Sequence, residues 1–191
     1  MLNFYKFVEI IVSLQTIIIS TMLPIYIPLP FMDQTSNSFE LPITWNIPTL
    51  ILLTLIFGRK AVFSAFTIYI IIGLFFYPVF LNGGSIGYLL TPNFGYLLGT
   101  YALIRIIDNL NKNNNLKVIN FLKNGFMAII ALHITGIIYN VVPSITYNQF
   151  NLFFYNLGKY SAGKILYHLI TLLPLLLLIK PIKYFKKAYN D

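Results

Sequence analysis

The chain has 191 residues, of which 58% are hydrophobic and only 9% are charged. A soluble domain carries about 25% charged residues, so this composition, with a mean hydropathy of +0.76, indicates a single integral membrane domain over residues 1–191. The net charge is +8 and the chain contains no cysteine, which excludes disulfides and thiolate metal sites.

Six apolar segments predict an all-α bundle of six transmembrane helices. They cover residues 7–27, 41–57, 61–80, 94–107, 118–142 and 165–179. A helix needs about 20 apolar residues, with a range of roughly 17 to 25, to cross a bilayer. The second, fourth and sixth segments are therefore short and need their flanks. No small-residue cleavage site follows the first segment, so we expect it to remain as a helix rather than to be removed as a signal peptide.

The lysine and arginine residues predict the orientation of the bundle. With both termini on the cytoplasmic side, 11 of the 13 basic residues lie inside, and only Lys159 and Lys164 lie outside. The loop after the first helix carries the acidic Asp33 and Glu40 instead. This is a strong positive-inside pattern. Because the basic residues are spread along the inner membrane face, we expect them to contact membrane lipids and not nucleic acid.

The segment between the third and fourth predicted helices, residues 81–93, has three glycines and no charged residue. A solvated loop normally carries some charge. Glycine permits positive φ and close backbone approach, and non-helical backbone at membrane depth is tolerated only where protein buries it or where it lines a cavity. We therefore expect this loop to fold back against the helices and to border a solute cavity near one membrane face.

Four stretches of sequence carry a family resemblance. They are residues 41–46 (LPITWN), 58–60 (GRK), 69–84 (with Gly73, PVF and two adjacent glycines) and 92–99 (PNFGYLLG). Together they resemble the BioY family, the biotin-binding S components of energy-coupling-factor (ECF) transporters, over roughly residues 41 to 104.

The resemblance implies an S-component-like bundle with both termini inside. It also implies capture of biotin or a related small vitamin in an outward-facing cavity, and delivery through a transmembrane coupling subunit and ATPase subunits. It implies no enzyme activity and no cofactor. The expected location is the inner or plasma membrane of a bacterium, or the corresponding cyanobacterial or plastid membrane.

The candidate site comprises the loop after the third helix and the second, fourth and sixth helices. Asparagine side chains there can donate to and accept from a ureido or amide group, while glycine N–H groups approach it closely. The candidate ligand-binding residues are Thr44, Trp45, Asn46, Asn82, Gly83, Gly84, Asn93, Gly95, Tyr96 and His168.

Several of these residues also have a purely structural interpretation. The adjacent glycines fit an ordinary tight turn. Trp45, the only tryptophan, is either a flat wall against a bicyclic ligand or an interfacial aromatic anchor. Gly95 and Gly99 form a small-residue face that allows two helices to approach closely. His133 and His168 without a nearby acid or cysteine make a poor metal site.

Two features of the sequence keep other functions open. The family's last helix ends in Pro-Phe-x-x-Gly-Asp-x-x-Lys with a ligand-binding acid, and residues 174–183 (PLLLLIKPIK) contain no acid. The alternative is a non-transporting scaffold or sensor on a degenerate S-component fold. Residues 83–87 (GGSIG) match the Gly-x-Ser-x-Gly pattern of hydrolases, with Ser85 and either His133 or His168, although no acid completes the set.

Overall fold

The computed structural model describes residues 2–28, 38–112 and 116–190. Asp33 of the predicted outer loop lies outside these residues. Helices dominate, and two strands, β1 and β2, form an antiparallel hairpin. The elements are α1 Leu2–Met22, β1 Pro24–Pro28, β2 Ser38–Thr44, α2 Asn46–Phe75, α3 Pro92–Lys112, α4 Val118–Tyr139, α5 Val141–Thr146, α6 Phe150–Asn156, α7 Gly163–Ile170, α8 Leu172–Leu175 and α9 Ile179–Asn190.

The hairpin corrects the all-α prediction and the bounds of the first two predicted helices. Residues 24–27 and 41–44 were assigned to helices but lie in β1 and β2, which pair from Pro24↔Thr44 to Pro28↔Ser38. Proline disfavours a helix interior, and Pro24, Pro28 and Pro42 lie within the two strands. The alternation of buried Leu41 and Ile43 with exposed neighbours is the strand period. These two side chains pack with Ile25 and with Tyr167 of α7.

The element α2 is a helical hairpin that bends at Gly58. Gly58 has non-helical backbone angles (φ 78°, ψ 171°). Both Asn46 Nδ2 (2.9 Å) and the Tyr69 hydroxyl (3.3 Å) donate to Thr21 Oγ1. In a straight helix these two residues would be about 35 Å apart, so the two halves of α2 run back alongside each other. The second and third predicted helices are therefore separate, and their turn is the predicted Gly58-Arg59-Lys60.

Asp108 of α3 stabilises the turn at Gly58. Its Oδ1 accepts the backbone N–H of Arg59 at 3.1 Å, and its Oδ2 lies 4.0 Å from Arg59 Nε. The turn therefore lies beside the C-terminal part of α3, at the end of the bundle opposite to Thr21 and Asn46.

The glycine-rich loop folds back onto the helices, as its uncharged composition predicts. Phe80 and Gly83 exchange two backbone hydrogen bonds of 3.0 Å, and the Ser85 N–H donates to the carbonyl of Gly73 at 3.0 Å. A short 3-10 helix follows at Ile86–Leu90. The Tyr139 hydroxyl of α4 donates to the Leu89 carbonyl at 2.5 Å, so the loop is held from α2 on one side and from α4 on the other.

Helices α3 and α4 pack through glycines. A Cβ atom at Gly99 would lie 2.5 Å from the carbonyl oxygen of Leu132, one at Gly95 would overlap Tyr139, and one at Gly136 would overlap the Tyr96 ring. The predicted packing role of Gly95 and Gly99 is therefore confirmed. This close contact fixes Tyr96 against α4.

Four helical stretches in the described part of the chain are long and apolar enough to cross a membrane: Phe4–Met22, Asn46–Phe75, Val118–Thr146 and Phe150–Tyr184. The last stretch is not one regular helix, because a π-helix at Leu157–Ala162 precedes α7 and a 3-10 helix at Leu176–Leu178 precedes α9. It replaces the predicted sixth segment, residues 165–179, and brings residues as early as Tyr160 into the bundle.

Candidate functional site

A cavity of about 130 Å³ lies where the hairpin, the glycine-rich loop and the helix ends meet. Its lining comes from three of the four stretches that carry the resemblance, residues 41–46, 69–84 and 92–99, and also from α1, α4 and the last helical stretch. The lining residues are Thr21, Ile43, Thr44, Asn46, Ile47, Tyr69, Phe80, Leu81, Asn82, Tyr88, Asn93, Tyr96, Leu97, Thr100, Leu132, Tyr160, Lys164 and His168.

The structure brings six of the ten candidate residues together at this cavity. They are Thr44, Asn46, Asn82, Asn93, Tyr96 and His168. Their convergence from four separate regions of the sequence makes this cavity the candidate ligand site, and their contact with a ligand remains a prediction.

The other four candidates do not line the cavity. Trp45 is 41% exposed, as an interfacial anchor would be. Gly83 has φ 106° and occupies the tight turn, while Gly84 lies so close to Gly73 that a Cβ atom would be 2.5 Å from its carbonyl oxygen. Gly95 faces Tyr139 in the helix contact. The three glycines therefore serve the tight turn and the helix contact, and a ligand contact of these four residues stays a prediction.

Asn46 carries an acceptor that lacks a partner. Its Nδ2 donates to Thr21 Oγ1 at 2.9 Å, whereas its buried Oδ1 has no hydrogen-bond partner among the described residues. A buried polar atom without a partner costs about 1–3 kcal/mol and calls for an explanation. A ligand N–H in the cavity would satisfy it.

Two buried histidines lie at the cavity wall: His168 of α7 lines the cavity, and His133 of α4 lies behind it. His133 Nε2 lies 3.0 Å from His168 Nδ1, and His133 Nδ1 lies 3.3 Å from Ser161 Oγ. Ser161 Oγ in turn lies 2.6 Å from the Tyr96 hydroxyl. His133 and His168 are 1% and 8% exposed.

This arrangement does not support the hydrolase alternative. Ser85 is exposed in the loop, whereas both histidines are buried and hydrogen-bonded to each other. No group of three or more potential metal ligands occurs in the described part of the chain.

Lys164 gives the cavity its positive charge. It is half-buried on the cavity wall, with its Nζ 5.3 Å from the centre of the Tyr160 ring. Neither aspartate nor glutamate occurs among the described residues that line the cavity. The cavity therefore suits a ligand with an anionic group.

Tyr88, in the 3-10 helix of the loop, adds a neutral hydroxyl. Burial raises the pKa of Tyr88 to about 12, an effect that a hydrogen bond with Asn93 partly opposes. The hydroxyl therefore stays protonated at physiological pH and remains available as a donor.

The sequence interpretation missed Lys164, Thr21 and Tyr88. It included His168 of the last helix, which does line the cavity, but it looked for the family's ligand-binding acid in residues 174–183, none of which lines the cavity. One signal was present: Lys164 lies within the long, mainly apolar helical stretch Phe150–Tyr184, and an ionisable residue in such a stretch is a functional hypothesis by default.

The family model of BioY matches residues 4–176. This chain belongs to the BioY family. A relative from Lysinibacillus sphaericus, named a probable biotin transporter BioY, is 39% identical to this BioY family member over 83 residues. That match covers 44% of this chain and only 37% of the relative.

A solved structure shows the same fold. The crystal structure of the S-component for biotin from an ECF-type ABC transporter superposes with a TM-score of 0.59, covering 97% of this chain and 92% of that chain at 16% identity. This BioY family member is thus a mostly helical membrane protein with the fold of an S component.

Proposed function

We propose that this chain is the substrate-capture subunit of a biotin uptake transporter. The family match and the S-component fold support this proposal, and the name of the Lysinibacillus relative agrees with it. The observation that carries it is the buried, unpartnered Oδ1 of Asn46 on the cavity wall. A ureido ring has two N–H donors, and this oxygen supplies an acceptor for one of them.

The groups around the cavity fit the remaining parts of biotin. The apolar side chains of Phe80, Leu97 and Leu132 suit the fused rings, because ligand pockets are mostly apolar with a few polar groups that fix orientation. Lys164 suits the carboxylate. We assign ligand contacts to Thr44, Asn46, Asn82, Asn93, Tyr96 and His168, and a wall-shaping role to Trp45, Gly83, Gly84 and Gly95.

Biotin binding widens this cavity. Its volume is about 130 Å³, whereas pockets for small molecules usually measure about 300–1,000 Å³. The β1–β2 hairpin and the glycine-rich loop supply Ile43, Thr44, Leu81 and Asn82 to its walls. These two elements are the ones that move apart when the ligand enters.

We further propose that the chain crosses the membrane six times with both termini in the cytoplasm. Arg59 and Lys60 lie at the Gly58 turn, and the cavity lies at the opposite end of the bundle. By the positive-inside rule the Gly58 end faces the cytoplasm, so the cavity opens outward. Delivery to the cytoplasm then requires the coupling and ATPase subunits that the family resemblance implies, since this sequence has no nucleotide-binding lysine motif.

Calorimetry with biotin on the chain in lipid nanodiscs tests the proposal. Wild type should bind biotin, and Asn46→Leu should weaken binding roughly ten- to hundredfold, because a buried hydrogen bond to the ligand is lost. The matched control is Asn124→Leu, since Asn124 of α4 donates to the Asn120 carbonyl and does not line the cavity. Equal affinities of wild type and Asn46→Leu would remove Asn46 from the site, and no binding to wild type would refute the function.

A further inference from the structure

Four side chains form a continuous hydrogen-bonded chain that begins and ends at the cavity. The successive contacts are Tyr96 hydroxyl–Ser161 Oγ (2.6 Å), Ser161 Oγ–His133 Nδ1 (3.3 Å) and His133 Nε2–His168 Nδ1 (3.0 Å). Tyr96 and His168 line the cavity, whereas Ser161 and His133 do not. We call these four residues the Tyr96–His168 chain.

When Ser161 donates its proton within this chain, neutral imidazole leaves two polarities. A neutral ring has one N–H donor and one acceptor nitrogen, and burial of both rings disfavours a charge on either. If Tyr96 donates to Ser161, the protons point along the chain and His168 Nε2 keeps an N–H donor. If His168 Nδ1 donates to His133, the protons point the other way, His168 Nε2 is an acceptor and the Tyr96 proton is free.

Both polarities leave one end of the chain with a spare donor and the other end with a spare acceptor. A cyclic urea or amide carries the complementary pair, an N–H and a C=O, on neighbouring atoms. Because each internal link fixes the next, the ends cannot both become donors while the rings stay neutral. The chain thus prefers a ligand that offers one donor and one acceptor together.

We propose that the Tyr96–His168 chain reads the ureido group of the ligand, with His133 and Ser161 as positioning residues that set the proton on His168. This inference rests on the proposed capture of biotin and deepens it. In the bound state His168 Nε2 accepts a ring N–H and the Tyr96 hydroxyl donates to the ring carbonyl. Together with Asn46 Oδ1, the chain then supplies acceptors for both ureido N–H groups although no carboxylate lines the cavity among the described residues.

The first test compares biotin with its two mono-N-methyl derivatives, in which one or the other ring N–H is replaced by N–CH₃. Wild type should prefer biotin to both. His133→Phe keeps an aromatic ring but breaks the chain, so the affinity for biotin should fall about tenfold. For one of the two derivatives the affinity should not change, because the hydrogen bond that His168 accepts is already missing there.

Two further variants separate positioning from folding. His133→Gln retains a donor and an acceptor and should recover part of the preference. Thr135→Val removes a side-chain bond to the Ala131 carbonyl on the same helix, away from the cavity, and should leave all affinities unchanged. If His133→Phe weakens biotin and both derivatives by the same factor, His133 is only structural and the proposal is wrong.

A second measurement does not depend on biotin. In protein with ¹⁵N-labelled histidine, millimolar imidazolidin-2-one, a bare cyclic urea, should shift the ring nitrogens of both His168 and His133, although His133 does not line the cavity. Shifts at His168 alone, or at neither ring, would overturn the proposed role of the Tyr96–His168 chain. If wild type binds no biotin, the proposed function fails. This titration still decides whether the Tyr96–His168 chain binds a cyclic urea.

Discussion

Lys164 is the residue whose charge separates one class of ligand from another. It is half-buried on the cavity wall, where a cation attracts an anionic group more strongly than at an exposed position. Lys159, five positions earlier, is exposed and lies over the rings of Tyr155 and Tyr160. The two lysines therefore differ in access to a ligand but not in chemistry.

We predict that Lys164→Met weakens biotin roughly ten- to hundredfold, because a charge-assisted hydrogen bond to the carboxylate is lost. The affinity for biotin amide, which has no charge, should be nearly the same in wild type and variant. Binding of both compounds is measured by calorimetry, with Lys159→Met as the matched control. A parallel loss for biotin and its amide would place the carboxylate elsewhere.

At the residue scale, sequence reasoning identified the side chains near the recognised motifs and missed those that only the fold brings close. Asn46, Asn82, Asn93 and Tyr96 lie within the segment that resembles the family, and all four line the cavity. The hydrogen bond between His133 and His168 joins residues 35 positions apart, and no local sequence pattern marks such a pair. Lys164 was missed because it lies just before the predicted sixth segment, residues 165–179. The last helical stretch of the structure is irregular and begins earlier, at Phe150.

At the scale of elements, the contact between α3 and α4 is the most demanding, since backbone meets backbone there. A methyl group at Gly99 would lie 2.5 Å from the Leu132 carbonyl oxygen. This helix pair also holds Tyr96 in place, because Gly136 leaves room for its ring. The stability of the pair and the geometry of the site are therefore linked.

We expect Gly99→Ala to destabilise the protein by about 1–3 kcal/mol, the usual cost of overpacking a well-packed contact. Gly158→Ala is the control, because no atom lies within 4 Å of a Cβ atom at that position. Thermal unfolding of both variants in the same detergent measures the difference. Equal stability of Gly99→Ala and wild type would mean that α3 and α4 are farther apart than described.

The helices of the bundle were easier to predict than the hairpin at its rim. Long apolar runs are unambiguous, so α4 was placed closely, and Gly58 marked the turn inside α2. Residues 41–44 are equally apolar, and a short apolar run does not distinguish a strand from a helix. Pro24, Pro28 and Pro42 in these two strands were the signal against a helix.

For the whole molecule, the arrangement of charge predicts which end of the bundle faces the cytoplasm. The Gly58 turn carries Arg59 and Lys60, and the cavity lies at the opposite end with the glycine-rich loop. The chain has no cysteine, so single cysteines can report the exposure of each end.

In intact cells, a membrane-impermeant maleimide should label Ser85→Cys in the exposed loop and should label Lys60→Cys only after permeabilisation. Both positions are exposed, so differences in burial do not explain a difference in labelling. Labelling of Lys60→Cys in intact cells would invert the orientation and place the cavity on the cytoplasmic side.

Capture of biotin is the central claim, and ligand retention measures it most directly. The chain is purified in lipid nanodiscs after exposure to biotin, washed and then denatured, and the released ligand is quantified by mass spectrometry. The account predicts about one biotin per chain in wild type and a clear loss in Asn46→Leu. Wild-type protein that unfolds cooperatively on heating but releases no biotin would contradict the account and favour a scaffold without a ligand.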